Sequence, residues 1–133
     1  HDRIGYNYRM PNINAALGCA QLERLESFID RKRKLAERYE KELGDIENVT
    51  FMKEPEYARS NYWLNAILLA EPLRAHRDSI LQHTNAEGIM TRPAWTLMSK
   101  LPAFRDCPHM DLSAAEEMEA SIINIPSSPK LGG

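Results

Sequence analysis

Cysteine is scarce: Cys19 and Cys107 are the only two in 133 residues. They stand far apart, without the paired spacing of a metal knuckle or a redox motif, and read as free or buried thiols rather than a disulfide. Excess charge is lacking too. A formal net charge of -2 gives no basic footprint for nucleic acid or an anionic membrane surface. Long apolar runs are missing: the longest, residues 66–70, falls far short of the ~20 residues a bilayer span needs. The first residues carry no apolar secretion signal, so a cytoplasmic setting is expected. No glycine-rich phosphate loop, Ser-His-Asp arrangement or metal-ligand spacing occurs. His1, His76, His83 and His109 are scattered, and His76 and His83, seven apart, read as a solvated helix face rather than a metal pair.

What is present is the composition of one ordinary globular domain, with 43% apolar and 27% charged residues. The spacing of Leu17, Gln21, Leu25, Phe28, Leu35, Tyr39 and Leu43 predicts one long helix over residues 11–43. Pro11 suits its first turn and Gly44 its end. The second half is amphipathic. In the first half, residues 15–20 are small and apolar around the whole circumference, the pattern of a helix buried on all sides. At ~1.5 Å per residue the helix would run about 50 Å, longer than a domain of this size is wide. Its front is therefore expected to project toward absent polypeptide or a second subunit; the alternative is a bend or break at Gly18. Strands are expected at 49–52, 61–69 and 89–92 and at Ile122, Ile123 and Ile125. A helix is expected at 73–87, stopped by Gly88. Another should start on the capping box Ser113-Ala114-Ala115-Glu116 and run to about Ser121. Together these make an α+β domain. A chain that opens on His1, with its chemistry crowded at that edge, reads as a piece of something larger.

That chemistry lies in Gly5-Tyr6-Asn7-Tyr8-Arg9-Met10-Pro11 and the helix it feeds. Gly5, Asn7, Arg9 and Met10, followed by Ala15, Ala16, Gly18, Gln21, Leu22 and Leu25, form the pattern Gly-x-Asn-x-Arg-Met, then Ala-Ala-x-Gly-x-x-Gln-Leu-x-x-Leu. In this the chain resembles the DegT/DnrJ/StrS family of pyridoxal-phosphate-dependent sugar aminotransferases. The resemblance continues through residues 32–39, Glu87-Gly88-Ile89, Thr91-Arg92-Pro93, Leu101-Pro102-Ala103-Phe104 and Ile125-Pro126, and so spans nearly the whole chain.

The resemblance implies the C-terminal part of a fold type I aminotransferase. Residues 1–44 would be an active-site-edge segment with a connecting helix, and residues 45–133 a small α+β domain with a mostly antiparallel sheet. The lysine that forms the Schiff base with pyridoxal 5'-phosphate would then lie outside this chain. Lys32, Lys34, Lys41, Lys53, Lys100 and Lys130 read as surface lysines, because none sits in the apolar setting that activates an amine. Asn7 inherits the role of reaching the cofactor phosphate of a neighbouring subunit, helped by backbone amides and the dipole at the helix start. Without the family it would read as a turn residue. Arg9 is assigned to the shared site, pairing with a carboxylate or phosphate or locking the turn; a surface ion pair is the alternative. Tyr6 and Tyr8 would pack or donate there.

The family's histidine near the sugar substrate, three residues before the later proline, is Ser99 here, a substrate-binding candidate that can still give or accept a hydrogen bond but neither titrates near neutrality nor stacks as imidazole does. Arg92 and Trp95 are open to two readings, a wall of a sugar or pyrophosphate pocket or, for Trp95, core filling, the favoured of its two. The parent protein is expected to be a cytoplasmic homodimer moving an amino group from glutamate to a keto nucleotide-sugar, with the fragment alone inactive. A non-catalytic regulatory or dimerisation module of the same fold is the alternative, as is a stand-alone binding domain whose first helix is covered by its own residues.

Overall fold

The computed structural model describes Gly5 and residues 9–133. Helices α1 (Asn12–Leu22) and α2 (Leu25–Leu43) lead into strands β1 (Val49–Phe51) and β2 (Asn65–Leu69). Helices α3 (Glu71–Arg74) and α4 (Arg77–Ala86), strand β3 (Arg92–Pro93), helix α5 (Ser113–Ser121) and strand β4 (Ile122–Ile125) follow. Short 3-10 turns occupy Met98–Lys100 and Pro129–Gly132. The four strands form one sheet in the order β1-β2-β4-β3, and every pairing is antiparallel. The expected α+β class with a small antiparallel sheet is what forms.

Residues facing one another across an antiparallel ladder share a face of the sheet. Register therefore lines up Phe51, Ile67, Ile123 and Pro93 in one row across all four strands. Ile123 is fully enclosed at its centre, and Phe51 and Leu69 are buried with it. Helix α2 turns Leu35 and Ala36 inward. Its Tyr39 brings a ring to 6.3 Å from Phe51 and donates its hydroxyl hydrogen to the Pro126 carbonyl at 3.0 Å. The sequence periodicity of α2 is thus cashed in against the sheet.

Five expectations need correction. The long helix is two helices, and the break falls at Glu23–Arg24, with Gly18 inside α1. Arg24 leaves helical geometry at φ -111 and its amide bonds back three residues to Gln21, while its guanidinium lies 5.8 Å from the Phe28 ring centre. A tightened 3-10 end and a side-chain contact make the joint, with no proline or glycine needed. The strand expected at 61–69 starts only at Asn65, because Ser60 Oγ and Asn61 Oδ1 accept the amide hydrogens of Tyr62 and Trp63, both at 2.9 Å. Such side-chain turns compete with a ladder. The helix expected at 73–87 divides at Ala75–His76. The strand expected at 89–92 and ended by Pro93 is instead the pair Arg92–Pro93, sharing only Arg92 with that range; the Thr91 carbonyl before it is taken by Asn85 Nδ2 at 3.1 Å. The capping box does not close: Ser113 gives its hydroxyl hydrogen to Asp111 at 2.6 Å instead of capping α5.

The front of the first helix is open. No residue of α1 is buried, and Ile13 and Leu17 are 82% and 60% exposed. Residues 45–133 do not cover it, which counts against the stand-alone binding domain. Gly88 takes a φ of +78 at the end of α4, the left-handed stop position foreseen for it, whereas Gly44 stays right-handed at -62. Among the described residues no helix is long and apolar enough to cross a membrane.

Candidate functional site

The edge of the sheet builds a cleft of about 650 Å³. Strand β3 places Arg92 opposite Asn124 of β4, so both project from the same face. Arg92 Nη1 is steadied from α4 and from the residue ahead of its strand, donating to Asn85 Oδ1 at 3.1 Å and to the Thr91 carbonyl at 3.0 Å. Asn124 donates to the Pro93 carbonyl at 3.2 Å. Leu64, Trp95, Ser127 and Ser128 complete the wall. Trp95 is 70% exposed and stacks on Trp63 with ring centres 6.2 Å apart and planes 21° from parallel. Core filling, the favoured reading for Trp95, does not hold among the described residues: the indole stands exposed in the lining of the cleft.

A guanidinium, a serine hydroxyl, a carboxamide and an aromatic plane around an apolar floor suit a sugar joined to a phosphate group. The segment carrying Trp95 is tied back to α5. Glu119 accepts from the Leu97 amide at 3.1 Å and pairs with Lys100. The Lys100 ammonium holds the Glu119 carboxyl below the usual carboxylate range, and Glu119 in turn raises Lys100.

Ser99 is not in this cleft. It lines a second, smaller one of about 270 Å³ together with Phe104, Cys107 and His109. His109, ten residues on, lines the same cleft, and its Nδ1 lies 2.8 Å from the Met110 carbonyl oxygen. Arg9 is exposed just before α1 and lines neither cleft. Asn7, Tyr6 and Tyr8 lie outside the described residues. Cys19 and Cys107 are free and exposed, and no metal-binding cluster occurs among the described residues.

The lysines divide. Lys34, Lys41 and Lys130 are exposed, and Lys53 and Lys100 pair with Glu40 and Glu119. Lys32 departs from the surface reading. Its Nζ is half-buried and donates to three backbone carbonyls, Tyr62 and Trp63 at 3.1 Å and Ser127 at 2.6 Å. Burial pushes its pKa below the ordinary lysine value. With all three donors committed, Lys32 has no free amine to offer a carbonyl, and the other five lack the desolvated setting a Schiff base needs. The described residues therefore fit pyridoxal phosphate only as part of an enclosing wall.

Beside Lys32, Arg33 forks onto Glu54, with Nη1 3.0 Å from Oε2, and donates to the Ser60 carbonyl at 2.8 Å. That guanidinium, together with the Ser60 amide, holds the Glu54 carboxyl down to about 2. Sequence reasoning missed this lysine-arginine pair and also Ser127. The serine's Oγ accepts from the Asn65 amide at 2.7 Å and donates to the Ile125 carbonyl at 2.7 Å. The sequence signal for Lys32 was its place as the one charged step on the helix stripe that carries Phe28, Leu35 and Tyr39.

Comparison with known proteins gives a consistent picture. The family model for the DegT/DnrJ/EryC1/StrS aminotransferase family matches residues 1–133. The GDP-perosamine synthase of Escherichia coli O157:H7 is 37% identical over 131 residues, covering 98% of this chain and 35% of that protein. That of Vibrio cholerae is 36% identical over 135 residues, covering 98% of this chain and 36% of that protein. The crystal structure of DesI in the presence of its TDP-sugar product superposes with a TM-score of 0.84 at 26% identity, over 95% of this chain and 33% of that one. The chain spans about a third of the length of these relatives.

Proposed function

The chain belongs to the DegT/DnrJ/EryC1/StrS aminotransferase family, and on that premise we propose that its full-length protein transfers an amino group from glutamate to a keto nucleotide-sugar in amino-sugar biosynthesis. The observation that carries this reading is the similarity to GDP-perosamine synthases along 98% of the chain. A cleft with a guanidinium and an indole at its rim supports it.

When bound, pyridoxal phosphate supplies the electron sink for carbanion chemistry. Everything else falls to side chains. Asn7, just ahead of α1, binds the cofactor phosphate of a partner subunit, where the helix N-terminus favours an anion. Arg9 stands at the same shared edge and takes a carboxylate or phosphate of the substrates. Arg92 and Asn124 hold the oxygens of the pyrophosphate or sugar, and the Trp95 indole covers the apolar face of the sugar ring and excludes water from it. Ser99 contributes at most a neutral hydrogen bond.

Residues 1–44 act as the edge segment and connecting helix, and residues 45–133 as the small domain that closes a homodimeric site. The reacting lysine belongs to the rest of the polypeptide, so the 133-residue piece is inactive alone.

The test is a cofactor absorbance and glutamate half-reaction assay on the full-length protein, followed by a GDP-linked keto sugar as amino acceptor. Asn7→Ala should lose cofactor on dialysis. Retention equal to wild type refutes the phosphate role, and no amino transfer to any keto nucleotide-sugar refutes the activity.

A further inference from the structure

We propose that Lys32 is a positioning residue: by gripping the carbonyls of Tyr62, Trp63 and Ser127 it fixes the turn that lays Trp63 against Trp95, and so sets the indole wall of the substrate cleft. The substrate side of this inference rests on the function proposed above; the geometric side does not.

Tyr62 has a φ of +45, a backbone region that bulky side chains rarely enter and keep only when their surroundings impose it. The surroundings here do so on every side. Ser60 Oγ accepts from the Tyr62 amide at 2.9 Å, and the Tyr62 hydroxyl accepts from the Glu54 amide at 3.3 Å. The Arg33 guanidinium lies 5.6 Å from the Tyr62 ring centre, and Phe51 stacks on that ring at 6.4 Å. Lys32 takes the two successive carbonyls that this turn directs toward α2.

Its third bond goes to Ser127, which also lines the cleft and anchors the first amide of β2. One ammonium thus ties together three segments, separated in sequence by 30 and 95 residues from the lysine. A point charge with three donors suits three converging carbonyls, whereas the planar fork of arginine does not. The nearby Asn65 carboxamide is buried but makes no hydrogen bond among the described residues, so it does not share this load.

The experiment uses the full-length protein in four forms: wild type, Trp63→Phe, Lys32→Met and Lys32→Arg. The stacked indoles should give a near-ultraviolet circular dichroism band that disappears in Trp63→Phe. Lys32→Met is expected to lose the same band while keeping a cooperative thermal transition, and Lys32→Arg to recover less than half of it. In steady-state kinetics Lys32→Met should raise KM for the keto nucleotide-sugar about fivefold to tenfold, the scale of one displaced aromatic contact, with KM for glutamate within about twofold.

A Lys32→Met protein that keeps the band overturns the proposal. So does one in which both KM values rise together, the mark of a general loss of fold, and so does full rescue by arginine. If Lys32→Met does not fold, Lys32→Gln carries the same comparison. If Lys32→Met loses the band while the wild type aminates no nucleotide-sugar, the clamp stands and only the proposed function falls.

Discussion

Glu54 shows how one carboxylate paired with Arg33 makes the fold acid-sensitive. Its folded pKa of about 2 lies below the ~4.3 of an unfolded glutamate. The stability it contributes is therefore complete above about pH 5 and is lost as pH falls from there toward the folded value. Glu119 and Asp111, also held low, add the same sign. The urea midpoint should decline from pH 6 to pH 3, and Glu54→Gln should be less stable at pH 6 but flatter across that range. The position of Glu54 opposite Arg33 was not legible in the sequence, since 21 residues separate them and nothing in local pattern says that the loop returns. Lys32 was hidden for the same reason: a lysine between charged neighbours reads as solvated, and only carbonyls arriving from far along the chain desolvate it. Trp95 was misread because an indole satisfies either core or rim by composition alone.

At the level of elements, β4 is the strand on which the sheet depends. Three isoleucines in four residues signalled it, and register puts Ile123, with 0% exposure, in the row that crosses all four strands. Ile123→Ala should cost about 2–5 kcal/mol, read as a lowered urea midpoint, because the surrounding row cannot collapse onto the gap. Ser113→Ala should cost under about 0.5 kcal/mol, against the ~1 kcal/mol of a working cap, because its hydroxyl serves Asp111 and not α5. Spacing announced the helical stretch whose second half is α2, the Ser113–Glu116 pattern marked the start of α5 although its box stays open, and aromatic and branched residues marked four strands. Spacing did not announce the joints at Glu23–Arg24 and Ala75–His76, which no glycine or proline marks. It also overextended β2, since aromatic and branched residues at 62–64 promise a ladder until Ser60 and Asn61 claim their amides.

For the molecule as a whole, α2 is the spine to which the far parts of the chain return. The turn Pro129–Gly132 packs along it, and a Cβ on Gly132 would run into the carbonyl of Arg31. Gly132→Ala should therefore detach that turn, seen as faster amide hydrogen exchange at residues 128–132. No residue of helix α1 is buried by residues 45–133, in line with the expectation that its small apolar surface projects from them. Leu17→Glu should leave the sheet's unfolding midpoint unchanged while weakening self-association of the full-length protein in ultracentrifugation.

The strand order has a consequence for biosynthesis. Because β4 follows β3 in sequence but lies between β2 and β3, a nascent chain that has released residues 1–93 from the ribosome presents two half-built edges with no mate. Chaperone demand on this protein should peak in that interval and fall once the isoleucine strand emerges, since unpaired edges recruit other strands and long-range pairing is slow.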